Sequence, residues 1–406
     1  MSSEREKIIS FSPPDISEME IEEVCAALRS GWITTGPRTK KLEKELAEWI
    51  GAEKCVCLNS QTACAELVLR VLGVGEGDEV VVPAYTYTAS ASVIDHVGAK
   101  IVLIDSQKDN VEMDYDALEA AINERTKAII PVDLGGVPCD YARIFEIAER
   151  KKHLFKPAND LQRAIGRVAV CADTAHALGA KWHGKMIGTV ADFSCFSFHA
   201  VKNLTTAEGG AITWMLPAAV DSEALYHQFQ LLSLHGQSKD ALSKTRPGDW
   251  EYDVVGLWYK CNMTDMAAAL GLAQFQRYPH ILKRRRDIVA RYDAAIKPLG
   301  IQVLDHFNAE HESSGHLYIT RVPGITSEQR NEIIHKMADC GIACNVHYKP
   351  LPMHTAYKAL GFDIADFPNA YACFENEITL PLHTCLSDED VEYVKENYVR
   401  ILKEYL

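Results

Sequence analysis

Cysteine is plentiful in this sequence, but the spacing that would make it a metal or disulfide framework is missing. The 12 cysteines include no pair of Cys-x2-Cys motifs, and no Cys/His grouping has the spacing of a zinc site. Most of them lie in apolar runs, where cysteine behaves as a small hydrophobic residue. We therefore predict reduced thiols, a cytoplasmic location and no metal site.

Signals for membranes and nucleic acids are also missing. No apolar run approaches roughly 18 residues, and residues 1–7 are polar without a signal-peptide pattern. The net charge is −14, which argues against nucleic acid or an acidic membrane as a main partner. At 406 residues, with 47% hydrophobic and 24% charged residues, the chain is expected to be a soluble globular protein of two or three domains.

Short apolar runs alternate with amphipathic helices from residue 55 onwards. Because strands that are apolar on both faces are typical of parallel sheets, we predict an α/β domain with a mostly parallel sheet between helices. We place this domain at residues 12–260 and a smaller α+β domain at residues 261–406. The predicted strands of the sheet are 55–58, 79–83, 99–103, 128–132, 168–172, 193–198 and 211–214.

Three stretches carry further structural predictions. The polar stretch 151–167 is an insertion, either a surface loop or a segment that shapes a site. One long helix is predicted at about residues 264–299, with Arg284 to Arg286 on its solvated face. A loop is predicted at about residues 236–258.

Lys202 follows a β-rich apolar run and precedes Gly209-Gly210. Burial lowers the pKa of a lysine, and a neutral lysine can attack a carbonyl to form a Schiff base. The alternative is a surface lysine at a strand end. Upstream, the strand 55–58 opens into a helix through residues 59–63, which is typical of an anion site or of an ordinary N-cap by Ser60 or Thr62.

Asp173 ends another buried strand, and ligands of parallel sheets bind at such strand ends. A strand-end acid, a lysine on a nearby turn and a phosphate cup at a helix start together fit pyridoxal phosphate. The ring nitrogen of that cofactor needs a carboxylate, its aldehyde needs a lysine, and its phosphate needs N–H and O–H donors. For Asp173 alone, a helix N-cap is the alternative.

Five motifs carry a resemblance to a known family. The chain resembles the DegT/DnrJ/EryC1/StrS sugar aminotransferases almost end to end, from about Phe11 to Leu402. The resemblance implies the pyridoxal-phosphate-dependent transferase fold of type I, with a mostly parallel seven-stranded sheet in the large domain. The motifs, in the order of the family, are 30–37 (SGWITTGP), 83–87 (PAYTY), 172–176 (ADTAH), 197–206 (SFHAVKNLTT) and 263–265 (MTD).

The resemblance also implies roles for individual residues. Lys202 and Asp173 would be catalytic, Lys202 by bonding to the cofactor and moving protons and Asp173 by pairing with the ring nitrogen. His176 would lie near the phenolic oxygen, and Tyr87 would stack on the ring. The remaining implied contacts are Thr62, Ala63 and Ser197 with the phosphate, Lys260 with the phosphate of a partner subunit, and Trp32, Thr34, His347 and Tyr348 with the substrate.

The chain departs from the family pattern at four positions. Gln61 replaces a common glycine of the phosphate loop, Ala172 a common glutamate, Ala207 a common glycine and Lys260 a common asparagine. A lysine at position 260 would also bind phosphate, as a point charge. None of these changes removes a group that the chemistry requires.

The family resemblance implies the transfer of an amino group from L-glutamate to a nucleotide-linked keto sugar, with pyridoxamine phosphate as the intermediate form of the cofactor. A 4-keto-6-deoxy sugar is ranked first, and a 3-keto sugar or a keto-inositol is the alternative. The resemblance further implies a homodimer with shared active sites. The alternative from a different functional class is a non-catalytic regulator that holds the cofactor. The presence of Lys202 and the lack of an added DNA-binding domain both argue against that alternative.

Overall fold

The computed structural model describes residues 8–238 and 250–406, so residues 239–249 of the predicted loop at 236–258 lie outside the described residues. The helices are α1 Glu18–Arg29, α2 Pro37–Ile50, α3 Gln61–Val71, α4 Ala89–His96, α5 Tyr115–Ala121, α6 Tyr141–Arg150, α7 Asp160–Ile165, α8 Ser222–Ser233, α9 Asp265–Gln276, α10 Tyr278–Ile296, α11 Ser327–Asp339, α12 Thr355–Ala359, α13 Pro368–Glu375 and α14 Asp388–Leu402. The strands are β1 Cys55–Leu58, β2 Glu79–Pro83, β3 Lys100–Ile104, β4 Thr126–Ile129, β5 Ala169–Asp173, β6 Lys181–Trp182, β7 Lys185–Met186, β8 Phe193–Ser197, β9 Gly210–Trp214, β10 Gln302–Val303, β11 His311–Glu312, β12 Tyr318–Arg321 and β13 Glu377–Leu380.

Seven strands form the main sheet, in the order β1-β9-β8-β5-β4-β2-β3. β9 runs antiparallel to both of its neighbours, while the pairs from β8 across to β3 are parallel. Six strands therefore point the same way, and their carboxyl ends share one edge. The α/β fold with a mostly parallel seven-stranded sheet is confirmed, and the predicted strand bounds agree with the observed ones to within three residues.

Consecutive residues of the strands enter apolar clusters on opposite faces of the sheet. Val80 and Val82 belong to one cluster, whereas Val81 between them belongs to the other. All three side chains are fully buried, which contributes about 1.5–3 kcal/mol each relative to exposure. This double burial explains why the strands are continuous apolar runs.

A third apolar cluster fills the C-terminal part of the chain around the sheet β10-β12-β13. Apart from Ile9, its buried members begin at Ile288, whereas Met263 to Ile281 pack in a cluster of the main sheet. The domain boundary at 260/261 stays a prediction.

The structure corrects the prediction of one long helix at about 264–299. α9 ends before Arg277 and α10 begins at Tyr278, because Pro279 in the first turn of α10 lacks the N–H that a continuous helix would need. The prediction of a solvated arginine face was wrong for Arg285. Its side chain is buried and donates to the carbonyls of Gly315 and Leu382.

The insertion 151–167 is not simply a loop, since it contains α7. Asn159 caps this helix by accepting from Gln162 N–H at 2.8 Å. The side-chain amides of Asn159 and Gln162 both donate to the Leu72 carbonyl, so they satisfy an acceptor at the end of α3. The insertion packs there and does not line the pocket described below.

Candidate active site

A pocket of about 490 Å³ opens at the carboxyl edge of the main sheet. Its size suits a small cofactor or substrate, and its position is the one expected for ligands of parallel sheets. The pocket brings together eight of the site residues predicted from the sequence: Thr62, Tyr87, Asp173, His176, Ser197, Lys202, His347 and Tyr348.

Lys202 lies on the turn that connects β8 to β9. The Phe198 carbonyl closes this turn by accepting from Thr206 N–H at 2.9 Å and from the Thr205 hydroxyl at 3.2 Å. The surrounding protein desolvates the ammonium and lowers the pKa of Lys202 to about 8, although the charge of Asp173 opposes the shift. Lys202 therefore becomes a neutral amine at a lower pH than an exposed lysine does.

Asp173 is the last residue of β5 and is 6% exposed. Burial raises its pKa, while the Ser90 hydroxyl, which donates to Oδ2 at 2.6 Å, and Ala175 N–H, which donates to Oδ1 at 3.1 Å, favour the carboxylate. Thr86 Oγ1 lies 2.9 Å from Ser90 Oγ and so donates to it. The carboxylate is thus oriented from two sides.

His176 is a neutral imidazole whose proton position follows from its contacts. Nδ1 accepts from Gly135 N–H at 3.1 Å, so Nε2 carries the proton. Burial lowers the pKa of His176 well below its usual range, and it does the same to His316, whose ring centroid lies 4.3 Å away. Nε2 lies 3.4 Å from the Tyr348 hydroxyl. His176 therefore offers a neutral N–H donor at the pocket wall.

The N-terminus of α3 provides backbone donors. Gly210 allows the close approach of β9 to this end, since a Cβ there would lie 2.5 Å from Gln61 N and 2.6 Å from Ser60 C. The N–H groups of Gln61 and Thr62 have no acceptor within the helix, whereas Ala63 N–H donates to Ser60 Oγ at 3.1 Å. An N-cap and an anion site thus coexist here.

The C-terminal part of the chain supplies the opposite wall. The buried Tyr85 hydroxyl donates to the His347 carbonyl at 2.8 Å, and Leu351 N–H donates to the Ala84 carbonyl at 2.9 Å. Both bonds tie the segment around Tyr348 to the end of β2. Tyr87, whose side chain is 60% exposed, then lies with its ring centroid 5.9 Å from that of Tyr348.

Four predicted site residues do not line the pocket: Ala63, Trp32, Thr34 and Lys260. Trp32 Nε1 donates to the Thr35 carbonyl at 3.1 Å, and the Thr34 carbonyl accepts from Asp265 N–H. Lys260 is exposed and bonded to Asn262. Within this single chain, these residues make local contacts.

The chain matches the model of the DegT/DnrJ/EryC1/StrS aminotransferase family over residues 14–398. The chain belongs to this family.

Relatives and solved structures agree with the assignment. The spore coat polysaccharide biosynthesis protein SpsC of Bacillus subtilis is 37% identical, with 99% of each chain covered. The UDP-4-amino-4-deoxy-L-arabinose–oxoglutarate aminotransferase of Shewanella sediminis is 35% identical, with 94% of this chain and 95% of the relative covered. The putative sugar aminotransferase Spr1654 of Streptococcus pneumoniae has been solved in a PMP form, which is 58% identical, and in a PLP form, which is 56% identical. Both forms have a TM-score of 0.95, with 98% of this chain and 100% of the Spr1654 chain covered.

This family member is a sugar aminotransferase that depends on pyridoxal phosphate (PLP) and has the type I fold of its relatives. The pocket fits the cofactor on three observations. A buried carboxylate and a desolvated lysine lie in one cavity. The missing side chain of Gly210 leaves room for the N-terminus of α3, where the N–H groups of Gln61 and Thr62 are free to bind a phosphate. The buried Nε2 of Gln61, which also lines the pocket, has no protein partner.

Sequence reasoning missed several residues that form or support the pocket of this aminotransferase. Ser90 does not line the pocket, but it donates to Asp173, which does; it lies on α4, 83 positions before Asp173, and only the fold brings the two together. His199 and Glu208 lie on the Lys202 turn and line the pocket, with His199 Nε2 at 3.6 Å from Glu208 Oε1. Their positions on either side of Lys202 were a signal that could have found them.

Within residues 8–238 and 250–406, no helix combines the length and apolarity of a membrane span.

Proposed function

We propose that the enzyme transfers the amino group of L-glutamate to a 4-keto-6-deoxy sugar carried on a nucleotide. The observation that carries the proposal is the single cavity in which the desolvated Lys202 faces the buried Asp173. The Shewanella relative supports a nucleotide-linked substrate aminated at position 4, because its name pairs a UDP-4-amino sugar with oxoglutarate. Oxoglutarate is the keto acid that glutamate leaves when it gives up its amino group.

The residues of the pocket divide the work. Bound PLP supplies an aldehyde that accepts the amino group and a protonated ring that withdraws electrons from the reacting carbon. Lys202 would hold the cofactor through its aldehyde and would move the proton at the reacting carbon in both half-reactions. Asp173 would keep the ring nitrogen protonated, and His176 Nε2–H is a suitable donor for the phenolic oxygen. Tyr87 would cover the ring.

The phosphate of the cofactor is assigned to the start of α3 and the end of β8. The N–H groups of Gln61 and Thr62 and the hydroxyls of Thr62 and Ser197 are suitable donors there. The contact predicted for Ala63 stays a prediction, since its N–H already donates to Ser60.

We further propose a homodimer in which Lys260 reaches the phosphate bound by the partner. The segment before Lys260 supports this arrangement, because it exposes large apolar side chains, with Leu257 96% and Trp250 77% exposed. The substrate contacts of Trp32, Thr34, His347 and Tyr348, like the cytoplasmic location, stay predictions.

A substrate screen tests the proposal. The PLP-loaded enzyme is incubated with L-glutamate and one acceptor at a time: a 4-keto-6-deoxy sugar nucleotide, a 3-keto sugar nucleotide or a keto-inositol. We expect a 4-amino sugar nucleotide and an equal amount of 2-oxoglutarate, and no product from Lys202→Ala. Turnover of only the 3-keto sugar or the inositol would overturn the substrate, and no turnover at all would favour a regulator.

A further inference from the structure

A line of three side chains runs from the pocket wall to a buried carboxylate. His347 lines the pocket, and its Nδ1 lies 2.9 Å from Thr379 Oγ1. Thr379 Oγ1 in turn is hydrogen-bonded to Glu377 Oε1. Both Thr379 and Glu377 belong to β13 and are fully buried. The pocket is therefore connected to a carboxylate that solvent does not reach.

The backbone holds this line in register. Asn345 and Thr379 exchange two backbone hydrogen bonds, at 2.8 and 3.0 Å, which places His347 beside β13. His347 N–H also donates to Glu377 Oε2 at 2.8 Å. Phe11 stacks on the imidazole with ring centroids 5.4 Å apart. Because the ring is held on several sides, its two nitrogens keep distinct environments.

We propose that Glu377 and Thr379 are positioning residues that decide which ring nitrogen of His347 carries the proton. The threonine hydroxyl has one proton, so its two bonds must point the same way along the line. When Glu377 is charged, Thr379 donates to it and His347 Nδ1–H donates to Thr379, which leaves Nε2 as an acceptor. When Glu377 is protonated, both bonds reverse and Nε2 carries a proton.

The change of state balances as a relay. A proton taken up at Nε2 from the pocket side releases the Nδ1 proton to Thr379 Oγ1, whose own proton passes to Glu377. No bond other than these O–H and N–H bonds changes, and no other reactant is needed. The charge is stored on Glu377, while the imidazole is neutral in both states, in keeping with a pKa of His347 that burial lowers to about 3.

Glu377 is suited to gain or lose a proton at mildly alkaline pH, since burial raises its pKa to about 8. The ionisable groups around it are Arg330, Arg321, Tyr85, Tyr348, Tyr398, Cys344 and Cys373. Burial raises the pKa of each of these tyrosines and cysteines, to about 11 for Cys373 and about 12 for Cys344. Within this group, Glu377 is the one that titrates near pH 8.

For the reaction, the relay sets whether the wall accepts a hydrogen bond from a sugar hydroxyl or donates one to a sugar oxygen. This part of the inference rests on the proposed function. When the proton of His347 is no longer fixed on one nitrogen, one ordered hydrogen bond to the sugar is lost. This loss corresponds to a rise in the KM for the sugar of roughly threefold to tenfold.

The test compares Thr379→Val, which removes the hydroxyl at nearly constant volume, with Thr379→Ser, which keeps it. Thr320→Val is the matched control, because Thr320 is a buried threonine on the neighbouring strand whose hydroxyl bonds to Ile378 and Tyr398 instead. Thr379→Ala replaces the valine variant should that variant not fold. The tautomer of His347 is followed by 15N NMR of the PLP-loaded, 15N-histidine-labelled protein, with its signal assigned by loss in His347→Gln.

In the parent, Thr379→Ser and Thr320→Val, we expect the His347 proton to move from Nε2 to Nδ1 as the pH rises through about 8. In Thr379→Val this change is lost, and the KM for the sugar rises while kcat stays near the parental value. The relay would be overturned if His347 kept one tautomer at every pH in the parent, or if its tautomer changed with pH in Thr379→Val as it does in the parent. The NMR curve needs no sugar, so failure to turn over any keto sugar would reject the proposed function and leave the relay to be judged by NMR.

Discussion

The replacement Ser90→Ala probes how firmly the enzyme holds the carboxylate of Asp173. The lost hydroxyl donates to Asp173 Oδ2 at 2.6 Å in a buried environment. A hydrogen bond to a charged group contributes about 1.5–3 kcal/mol. Its loss disfavours the carboxylate, so the pKa of Asp173, already raised by burial, rises further. Because the ring nitrogen of PLP requires the charged form, the affinity for PLP falls by roughly tenfold to 100-fold.

The assay is a titration of apoprotein with PLP, followed by fluorescence or absorbance, for the parent, Ser90→Ala and Ser92→Ala. Ser92 lies on the same helix, α4, but the hydroxyl that donates to Asp173 is that of Ser90, so replacement of Ser92 controls for helix effects. We expect Ser92→Ala to bind PLP as the parent does. Parental affinity in Ser90→Ala, or an equal loss in both variants, would refute the assigned role of Ser90.

Three further predictions concern the cofactor. The rate of covalent PLP uptake, trapped with borohydride and measured by mass spectrometry, should rise with pH and level off above about pH 8, where Lys202 is mostly the neutral amine that attacks the aldehyde. A rate that keeps rising about tenfold per pH unit through pH 9 would contradict the lowered pKa. Asp173→Asn should reduce transamination roughly 100-fold or more, because the ring nitrogen loses its buried charged partner; parental kcat would place that partner elsewhere. Lys260→Ala should weaken PLP retention on dialysis by roughly tenfold, as expected for the loss of one charged contact; unaltered retention would reject the contact across subunits.

The main sheet was predictable because the apolar sequence of each strand agrees with its burial on both faces in the fold. Residues such as Val80, Val81 and Val82 are apolar whichever face they occupy, so a continuous apolar run indicates a strand buried on both sides. The break at Arg277 was harder to predict, since apolar residues continue at helical spacing on both sides of it. Pro279 was the available signal, and its missing N–H decided the boundary.

The burial of Arg285 could not be predicted from its neighbours. Three consecutive arginines are usually solvated, and only the tertiary fold brings the Gly315 and Leu382 carbonyls to this guanidinium. Residues far apart in the chain raise the same difficulty at the site. Asp173 ends one strand and Lys202 follows its parallel neighbour, so topology places them at one edge of the sheet. Ser90 and the line from His347 to Glu377 depend on side-chain contacts that no spacing in the sequence reveals.

We propose that this pocket moves nitrogen from glutamate to a nucleotide-linked 4-keto sugar through Lys202. The most direct measurement is isotope transfer. The PLP-loaded enzyme is incubated with 15N-labelled L-glutamate and a 4-keto-6-deoxy sugar nucleotide, and the masses of the products are measured by mass spectrometry. We predict one 15N atom in each amino sugar formed, an equal amount of 2-oxoglutarate, and no labelled sugar from Lys202→Ala. An unlabelled amino sugar, or labelled product from Lys202→Ala at the parental rate, would contradict the claim.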